Sequence, residues 1–265
     1  MAPRGSNGVQ SAVTVLEVLS AFIGAESMPM LKTLAERTGM HPAKVHRYLV
    51  SLCQAGYVEQ DEESSRYRLG PAALRLGFAA MEMIDSLRIA RPLMLGFRQS
   101  LQNTVVFAIW SQAGPSVAVI DSLPGVLTIT TREGTVLPIL RSSIGRVFGA
   151  WMPRPSTEHL IKAELQSLRA NPMQGVPSSM EEVENLFVSI RTRGFARVTG
   201  QLSPMAHSFA APVWGASGQI AGVLAVLGPT GQFDSTWNSP IAKQLLQFAA
   251  VISHRLGFPG EHPVR

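Results

Sequence analysis

Residues 28–69 limit the possible folds more than any other part of the chain, because they carry consecutive signals for helix, turn, helix and hairpin. Leu31, Leu34 and Ala35 recur at i, i+3 and i+4, a spacing that places all three on one face of a helix. Gly39 follows at the point where a left-handed residue commonly ends a helix. This pattern predicts a short amphipathic helix that ends in a tight turn.

A second amphipathic helix is predicted to begin near Pro42, because proline is tolerated in the first turn of a helix. Its inward positions are Val45, Leu49, Leu52 and Cys53. Gly56 ends this helix, and residues 57–59 and 67–69 then flank a polar tip at 61–65, as the two strands of a wing do. Two helices followed by such a hairpin predict a winged helix-turn-helix, which lays its second helix in the major groove of DNA.

The bulk properties of the chain indicate two domains and no membrane or secretory segment. With 265 residues, of which 46% are hydrophobic, the chain exceeds the usual size of one domain and can fill two cores. No run approaches the roughly 20 apolar residues of a membrane span, and residues 1–10 lack the apolar core of a signal peptide. Cys53 is the single cysteine, so no intrachain disulfide can form, and a cytoplasmic location is expected.

Net charge alone does not locate a nucleic-acid-binding region. The formal net charge is +5, yet residues 1–70 contain seven Lys or Arg and seven Asp or Glu, so the excess lies further along the chain. Residues 40–56 hold two cations and two histidines but no acid, while acids cluster at 59–63. This local asymmetry supports DNA binding by the second helix.

The segment LKTLAERTGMHPAKVHRYLVSLCQAGYVEQDEESSRYRLGP resembles the DNA-binding domain of the IclR family of bacterial transcription regulators. The resemblance continues in order along nearly the whole chain, in segments at 11–22, 68–77, 137–153, 189–204, 210–214 and 218–229. It implies an α+β fold, with an N-terminal winged helix-turn-helix and a C-terminal GAF-like effector-binding domain whose antiparallel sheet is flanked by helices. For the first segment taken alone, a winged helix that serves only protein contacts is the alternative.

The expected organisation has five parts. These are a disordered N-terminal arm at 1–8, the winged helix-turn-helix DNA-binding domain at 9–70, a linker helix at 71–88, the effector-binding domain at 89–258 and a C-terminal tail at 259–265. In the first helix, at 11–22, Ser11 is the expected N-cap and the residues expected to point inward are Val13, Leu16 and Leu19. The second domain is expected to form an antiparallel sheet covered on one side, with strands at 104–110, 116–123, 126–132, 195–199, 207–214 and 219–227.

Insertion into the groove brings the start of the second helix nearest to base edges and the following turn nearest to phosphates. The predicted DNA contacts lie on this helix, on the wing and in the arm: His41, Ala43, Lys44, His46, Arg47, Tyr48, Arg66, Arg68 and Arg4. For each cation, the alternative is a solvated surface charge that touches no DNA. Family members commonly show PKSTVHR where this chain has HPAKVHR, so the resemblance does not extend to the operator sequence.

The resemblance also implies a ligand pocket against the sheet, closed by the helix that starts near residues 141–146. The positions that would face it are Val198, Ser208, Ala225 and Leu227. Three of these four are apolar, where family members that sense small keto-acids tend to carry polar groups, and Met205 and Ile144 replace smaller residues. A keto-acid carboxylate would be poorly paired there, so the resemblance favours an aromatic or otherwise largely apolar effector with one polar handle.

Further residues complete the expected pocket. The aromatic walls are expected from Phe107, Trp110 and Phe148, with Trp151 and Phe209 as further candidates. The polar anchors are expected from Ser142, Ser143, Thr128, Thr130 and Arg132, because hydroxyls, an arginine and free helix N-terminal amides all pair with anionic groups. For each aromatic residue, ordinary core packing is the alternative.

No enzyme signature occurs in the sequence, which lacks a nucleophile elbow, a zinc-protease motif, a phosphate-binding glycine loop and a Cys/His cluster. We therefore expect a transcription regulator, a repressor rather than an activator, that uses no cofactor or metal and whose operator affinity depends on a small-molecule effector. Its expected partners are double-stranded DNA with a palindromic or near-palindromic operator and further copies of the chain, in a homodimer or dimer of dimers, but no membrane. The alternatives are a ligand-independent DNA-binding scaffold, which a closely packed pocket would favour, and a DNA-recruited enzyme.

Overall fold

The computed structural model describes residues 9–25, 27–82, 85–122 and 131–260. It forms two compact units, Met1–Met83 and Ile84–Arg265. The first unit contains α1 (Gln10–Ser20), α2 (Leu31–Thr38), α3 (Pro42–Gln54), β1 (Val58–Gln60), β2 (Tyr67–Leu69) and α4 (Pro71–Glu82). The second unit contains α5 (Asp85–Leu101), β3 (Thr104–Ser111), β4 (Gly114–Asp121), α6 (Ser143–Trp151), α7 (Arg154–Ala170), α8 (Met180–Arg193), β5 (Ala196–Thr199), β6 (Ala206–Trp214), β7 (Ile220–Pro229) and α9 (Pro240–Arg255).

The first unit is a winged helix-turn-helix, and this part of the fold prediction is confirmed. Gly39 joins α2 to α3 with a left-handed φ of +66°, a conformation that costs little for a residue without a Cβ atom. Val45 and Leu49 of α3 are fully buried in a core that α1, α2 and the wing share. β1 and β2 pair antiparallel, with Glu59 opposite Arg68. Together these contacts hold α3 with its other side exposed.

The rotation of α1 differs from the prediction. Val13 and Leu16, predicted to point inward, are 47% and 59% exposed, whereas Val18 and Thr14 are buried. Leu19 packs against the core as predicted, although it is only half-buried. Thr14 is tolerated in the core because its hydroxyl donates to a carbonyl one turn earlier in the helix, at 3.0 Å. The apolar residues of α1 therefore form two stripes, of which only one packs within this unit.

One predicted boundary also differs from the structure. α1 has Val9 as its N-cap, so Ser11 lies inside the first turn rather than at the cap. The range 71–88, predicted as one linker helix, is helical wherever it is described, in α4 and the beginning of α5, and residues 83–84 between them lie outside the described residues. The predicted arm at 1–8 and residues 261–265 of the predicted tail lie outside the described residues.

The described strands of the second unit form one antiparallel sheet in the order β4-β3-β7-β6-β5. Its longest pairing joins β6 to β7, from Ala206 opposite Pro229 to Trp214 opposite Ile220. The strand predicted at 126–132 is wrong where it can be examined, because residues 131 and 132 belong to no strand. The rest of that range lies outside the described residues.

Helices cover both faces of this sheet, whereas the sequence pattern predicts cover on one side only. One face packs against α6, α7 and α8 through a core that includes Val106 and Ala225. The opposite face packs against α5 and α9, where Phe97 stacks on Phe248 with a distance of 4.3 Å between ring centroids. Burial on both faces explains why residues 222–226 of β7 are consecutively buried instead of alternating.

Candidate functional site

The start of α3 is fixed by its own residues. His41 is the N-cap, and its Nδ1 accepts the N–H of Ala43 at 3.3 Å, while Pro42 occupies the first turn. Because Nδ1 accepts this bond, the proton of the neutral imidazole lies on Nε2. His41 thus caps the helix, and its Nε2 takes no part in the capping bond at the N-terminal end of α3.

The exposed side of α3 carries most of the predicted DNA contacts. The exposed residues here are His41, Ala43, Lys44, His46 and Arg47. Tyr48 is half-buried and packs against the core, so its ring is largely structural. Within the described part of the chain, the side chains of Lys44 and Arg47 have no acidic partner, which leaves both charges available to phosphate.

The cations of the wing, by contrast, are already engaged. Arg68 donates to Glu59 Oε2 through Nε and Nη2, at 2.8 and 2.7 Å, across the β1–β2 pair. Arg66 donates to the carbonyl of Met28 at 2.9 Å, which ties the wing to the segment before α2. At the wing tip, hydrogen bonds from the Ser64 hydroxyl and amide hold the pKa of Asp61 below its usual value. Arg4 lies outside the described residues.

A cavity of about 540 Å³ lies between the sheet and the start of α6. Eight residues that the sequence assigns to the effector pocket line it: Ser142, Ser143, Ile144, Val198, Met205, Ser208, Ala225 and Leu227. The strand residues among them meet because side chains two positions apart share a face and because Ala225 pairs with Ala210 while Leu227 pairs with Ser208. Met205 is 73% exposed and stands at the mouth of the cavity.

Few polar groups point into this cavity. The hydroxyls of Ser143 and Ser208 are hydrogen-bonded to each other at 2.9 Å, joining α6 to β6. Ser142 is committed to the fold, because its Oγ accepts the Gly145 N–H at 2.8 Å and donates to the Pro138 carbonyl at 2.6 Å. Among the described residues that line the cavity, none carries a charge. The cavity therefore suits a largely apolar molecule with a small polar group.

Four of the predicted pocket residues that the structure describes do not line the cavity. Phe107, Trp110 and Phe148 are part of the core instead, with Trp110 against Phe148 at 5.5 Å between ring centroids. Phe107 lies on the opposite face of the sheet because its neighbour Val106 faces the cavity. Arg132 is exposed and does not line the cavity, and Thr128 and Thr130 lie outside the described residues. Of the further aromatic candidates, Trp151 contacts Trp214 and Phe209 contacts Phe195 and Phe233.

Sequence reasoning missed the loop residues that complete the cavity. These come from the segment before α6, the loop before β6 and the end of β7, and include Thr131, Thr135, Val136, Leu137, Leu202, Ser203, Ala206 and Thr230. A single bridge, Ser116 with Val136, anchors the first segment beside β4. Loop residues carry no periodic signal, so no pattern in the sequence identifies them as cavity walls.

Arg146, just behind the cavity, holds three backbone segments together. Its guanidinium donates to the carbonyls of Leu140 at 2.7 Å, Arg197 at 2.9 Å and Gly175 at 2.8 Å. Burial lowers the pKa of Arg146 to about 10, so it remains a cation at neutral pH. Gly145 is required beside it, because a Cβ atom there would come within 2.1 Å of the Pro138 carbonyl oxygen. The Gly145–Arg146 pair thus fixes the start of α6.

Other kinds of site find little support in the described residues. Within those ranges, His, Cys, Asp and Glu side chains nowhere gather in a group of three that could hold a metal ion. No helix there is both long and apolar enough to cross a membrane. Burial, followed by the charge of Glu59, raises the pKa of the Cys53 thiol, which makes it a poor nucleophile.

Comparison with known protein families gives matches for both units. The model of the bacterial transcriptional regulator IclR C-terminal domain matches residues 78–254, and the IclR helix-turn-helix domain model matches residues 11–62. Among curated proteins, the HTH-type transcriptional regulator BhcR of Paracoccus denitrificans is 28% identical over 251 residues, which cover 94% of this chain and 88% of BhcR.

Solved structures show the same similarity over both units. Pseudomonas aeruginosa HmgR is 34% identical, with a TM-score of 0.78, and the match covers 94% of this chain and 100% of HmgR. An IclR homologue from Microbacterium hydrocarbonoxydans, solved in complex with 4-hydroxybenzoate, is 18% identical, with a TM-score of 0.77 and coverage of 92% and 98%. The similarity therefore spans the exposed helix and the cavity alike.

Proposed function

Because the chain belongs to the IclR family of bacterial transcriptional regulators, which are not enzymes, we propose that it binds a specific operator with an affinity set by a small, largely apolar effector. The observation that carries the proposal is the combination, in one chain, of an exposed cationic helix and an enclosed cavity in a separate unit. We assign it the role of a repressor. Its place of action is the cytoplasm, where bacterial DNA lies.

In the proposed DNA complex, α3 lies in the major groove and Arg47 and Lys44 contact phosphate or base edges. Arg68 contributes less, because Glu59 already neutralises it. The exposed surface of α3 needs no rearrangement in order to bind DNA, because the buried side chains of this helix fix its orientation. Winged helices of this size make few base contacts each, so a palindromic or near-palindromic operator read by two copies is expected.

A dimer interface is proposed on the apolar surface that the first unit leaves exposed. Val9, Val13 and Leu16 follow one another at i, i+4 and i+7 along α1, each about half exposed or more. Leu74 and Phe78, one turn apart on α4, are likewise exposed. Stripes of this kind bury well against a second copy related by two-fold symmetry. A dimer of dimers is the proposed final assembly.

The proposed effector is a small aromatic compound with one acidic or phenolic group. Uncharged walls favour the ring, and the Ser143–Ser208 pair with the first amides of α6 offers a polar anchor where the helix meets the sheet. A glyoxylate- or pyruvate-sized molecule would fill little of about 540 Å³ and would leave its second polar group unpaired. The related structure with 4-hydroxybenzoate supports the view that this fold can hold an aromatic acid.

An effector can control DNA binding only if it binds two arrangements of the chain, one that can bind DNA and one that cannot, with different affinities. The alternative of a ligand-independent scaffold depends on a closely packed pocket, and a cavity of about 540 Å³ argues against it.

Selection of bound DNA from random fragments, with and without candidate effectors, tests the proposal. The effectors to include are 4-hydroxybenzoate, phenol, glyoxylate and pyruvate, with Arg47→Ala as the DNA-binding control. We expect one enriched sequence with two-fold symmetry, released by an aromatic compound. Absence of any enriched duplex would contradict operator binding, and a response to glyoxylate or pyruvate alone would contradict the effector class.

A further inference from the structure

A second cavity, of about 530 Å³, lies at the edge of the sheet beside β5 and shares no lining residue with the effector cavity. β5 is the last strand of the described sheet, so this edge has no neighbouring strand. Val198 faces the effector cavity, while its neighbours Arg197 and Thr199 line the edge cavity, because successive strand residues point to opposite sides. The two cavities are thus separate sites on either side of one strand.

The edge cavity is cationic. Arg197 and Arg193 both lie over the ring of Trp237, with their guanidinium carbons 4.2 and 4.4 Å from its centroid. Arg146 and Arg197 line the cavity directly, and among its described lining residues none is Asp or Glu. Asp234, close by in sequence to Trp237, accepts hydrogen bonds from the amide and hydroxyl of Thr236 and forms no ion pair with Arg197.

Structural roles do not use all of this charge. Arg146 donates to three carbonyls, and Arg197 donates one bond to the carbonyl of Ser235 at 3.1 Å. Burial and then the charge of Arg193 lower the pKa of Arg197. For Arg146, burial lowers the pKa most, Glu164 raises it and Arg197 lowers it. An anion in the cavity that Arg146 and Arg197 both line would offset the mutual repulsion of these two cations.

Hydrogen-bond donors complete the cavity. Gln201 accepts the Thr199 N–H through Oε1 at 2.6 Å, which leaves its Nε2 as a donor on the cavity wall. On α8, Ser189 lines the cavity, whereas Arg193, one turn further on, lies over the Trp237 ring outside the lining. Planar guanidinium groups bind carboxylate and phosphate oxygens through paired N–H bonds.

We propose that the edge cavity binds a small oxyanion-bearing molecule, through a phosphate or carboxylate group held by Arg197 with Gln201 as an additional donor, while Arg193, outside the lining, adds only its nearby charge. This site goes beyond the effector function proposed above, because it lies on the other side of β5 and recognises charge where the effector cavity has none. It gives the second unit two chemically distinct ligand sites.

Calorimetric titration of the full chain with inorganic phosphate and with citrate, at constant ionic strength adjusted with sodium chloride, tests the proposal. We expect saturable binding of at least one anion, and which one binds identifies the oxyanion. Arg197→Gln should weaken it about tenfold or more, the size expected for one charge-assisted hydrogen bond, and Arg193→Gln should weaken it less because it removes a charge outside the lining. Arg169→Gln, on the exposed surface of α7, is the matched control and should bind as the wild type does.

Several outcomes would overturn the proposal. One is the absence of saturable binding of either anion to the wild-type chain. Another is wild-type affinity in Arg197→Gln, a variant expected to fold because Arg197 is only half-buried and donates one hydrogen bond to the chain. A third is loss of anion binding in Met205→Ala, which would place the anion in the effector cavity, because Met205 is 73% exposed at the mouth of that cavity and does not line the edge cavity. All three results can be interpreted even if the chain binds no operator. The anion-site proposal and the proposed function can therefore fail separately.

Discussion

Replacement of Ser142 tests how the effector cavity is built. Its hydroxyl accepts the Gly145 N–H at 2.8 Å, which caps α6, and donates to the Pro138 carbonyl at 2.6 Å. Ser142 is only 2% exposed, so water cannot readily replace either bond. Ser142→Ala therefore removes a helix cap and leaves a shielded carbonyl without its donor.

The size of the effect follows from these two losses. Loss of a serine N-cap costs about 1 kcal/mol, and a buried carbonyl left unpaired costs about 1–3 kcal/mol. Ser142→Ala should lower the free energy of unfolding of the second unit by about 2–4 kcal/mol. Ser179→Ala is the matched control, because Ser179 caps α8 through the Glu182 N–H at 3.2 Å, is exposed and has no second bond. It should cost only about 1 kcal/mol.

Urea unfolding followed by tryptophan fluorescence measures this difference directly. All four tryptophans, Trp110, Trp151, Trp214 and Trp237, lie in the second unit, so their fluorescence reports that unit within the intact chain. Equal slopes of free energy against urea would show that the comparison concerns stability alone. If Ser142→Ala is no more destabilising than Ser179→Ala, the bond to Pro138 does not support the cavity and this reasoning is refuted.

Three further predictions concern the other parts of the molecule. Arg47→Ala should weaken operator binding and reduce the slope of log affinity against log salt by about 0.9 for each phosphate that the variant no longer neutralises. Arg68→Ala should change this slope less, because Glu59 pairs with Arg68. Equal slopes for the two variants in gel-shift titrations would contradict this ranking. Ser208→Ala removes one hydroxyl of the Ser143–Ser208 pair and should weaken the response to the effector, while effector-free operator affinity stays unchanged; an undiminished response would place the effector's polar group elsewhere. Hydrogen bonds from Ser64 lower the pKa of Asp61, so the wing turn gains stability above the ordinary pKa of 3.8 and loses it as pH falls through the lowered value. The NMR shift of the Ser64 amide should therefore titrate with a midpoint below 3.8, and a midpoint at or above that value would show that the bonds do not favour the carboxylate.

The winged helix could be predicted from the sequence because its determinants are local. Gly39, Pro42 and Gly56 mark the ends of helices, and the spacing of Val45 and Leu49 fixes which side of α3 is buried. The rotation of α1 could not be predicted in the same way. Its sequence has two apolar stripes, and only the tertiary packing decides which one faces the core of its own unit.

The cavity could be predicted only in part, because pairing register is a property of the sheet rather than of one strand. Val106 pairs with Ala225 and so faces the cavity, which turns Phe107 to the other side. Without this register, a prediction that selects aromatic residues cannot tell which of the neighbours Val106 and Phe107 faces the cavity. The preference for aromatic walls also failed because large rings fill the core beneath the cavity, while smaller residues leave room for a ligand.

Part of the energy needed for regulation is within reach of the contacts at the start of α6. A tenfold change in operator affinity requires a coupling free energy of about 1.4 kcal/mol. The hydrogen bond between Ser143 and Ser208, at 2.9 Å, joins α6 to the sheet, and a neutral bond of this kind contributes about 1 kcal/mol. An effector whose polar group bonded to one of these two hydroxyls would replace the Ser143–Ser208 bond with a bond to the effector. Arg146, through its three bonds to carbonyls, would keep the rest of α6 in place. Rearrangement of this one pair therefore supplies only part of the energy for a tenfold change, and the remainder has to come from other effector contacts in the cavity.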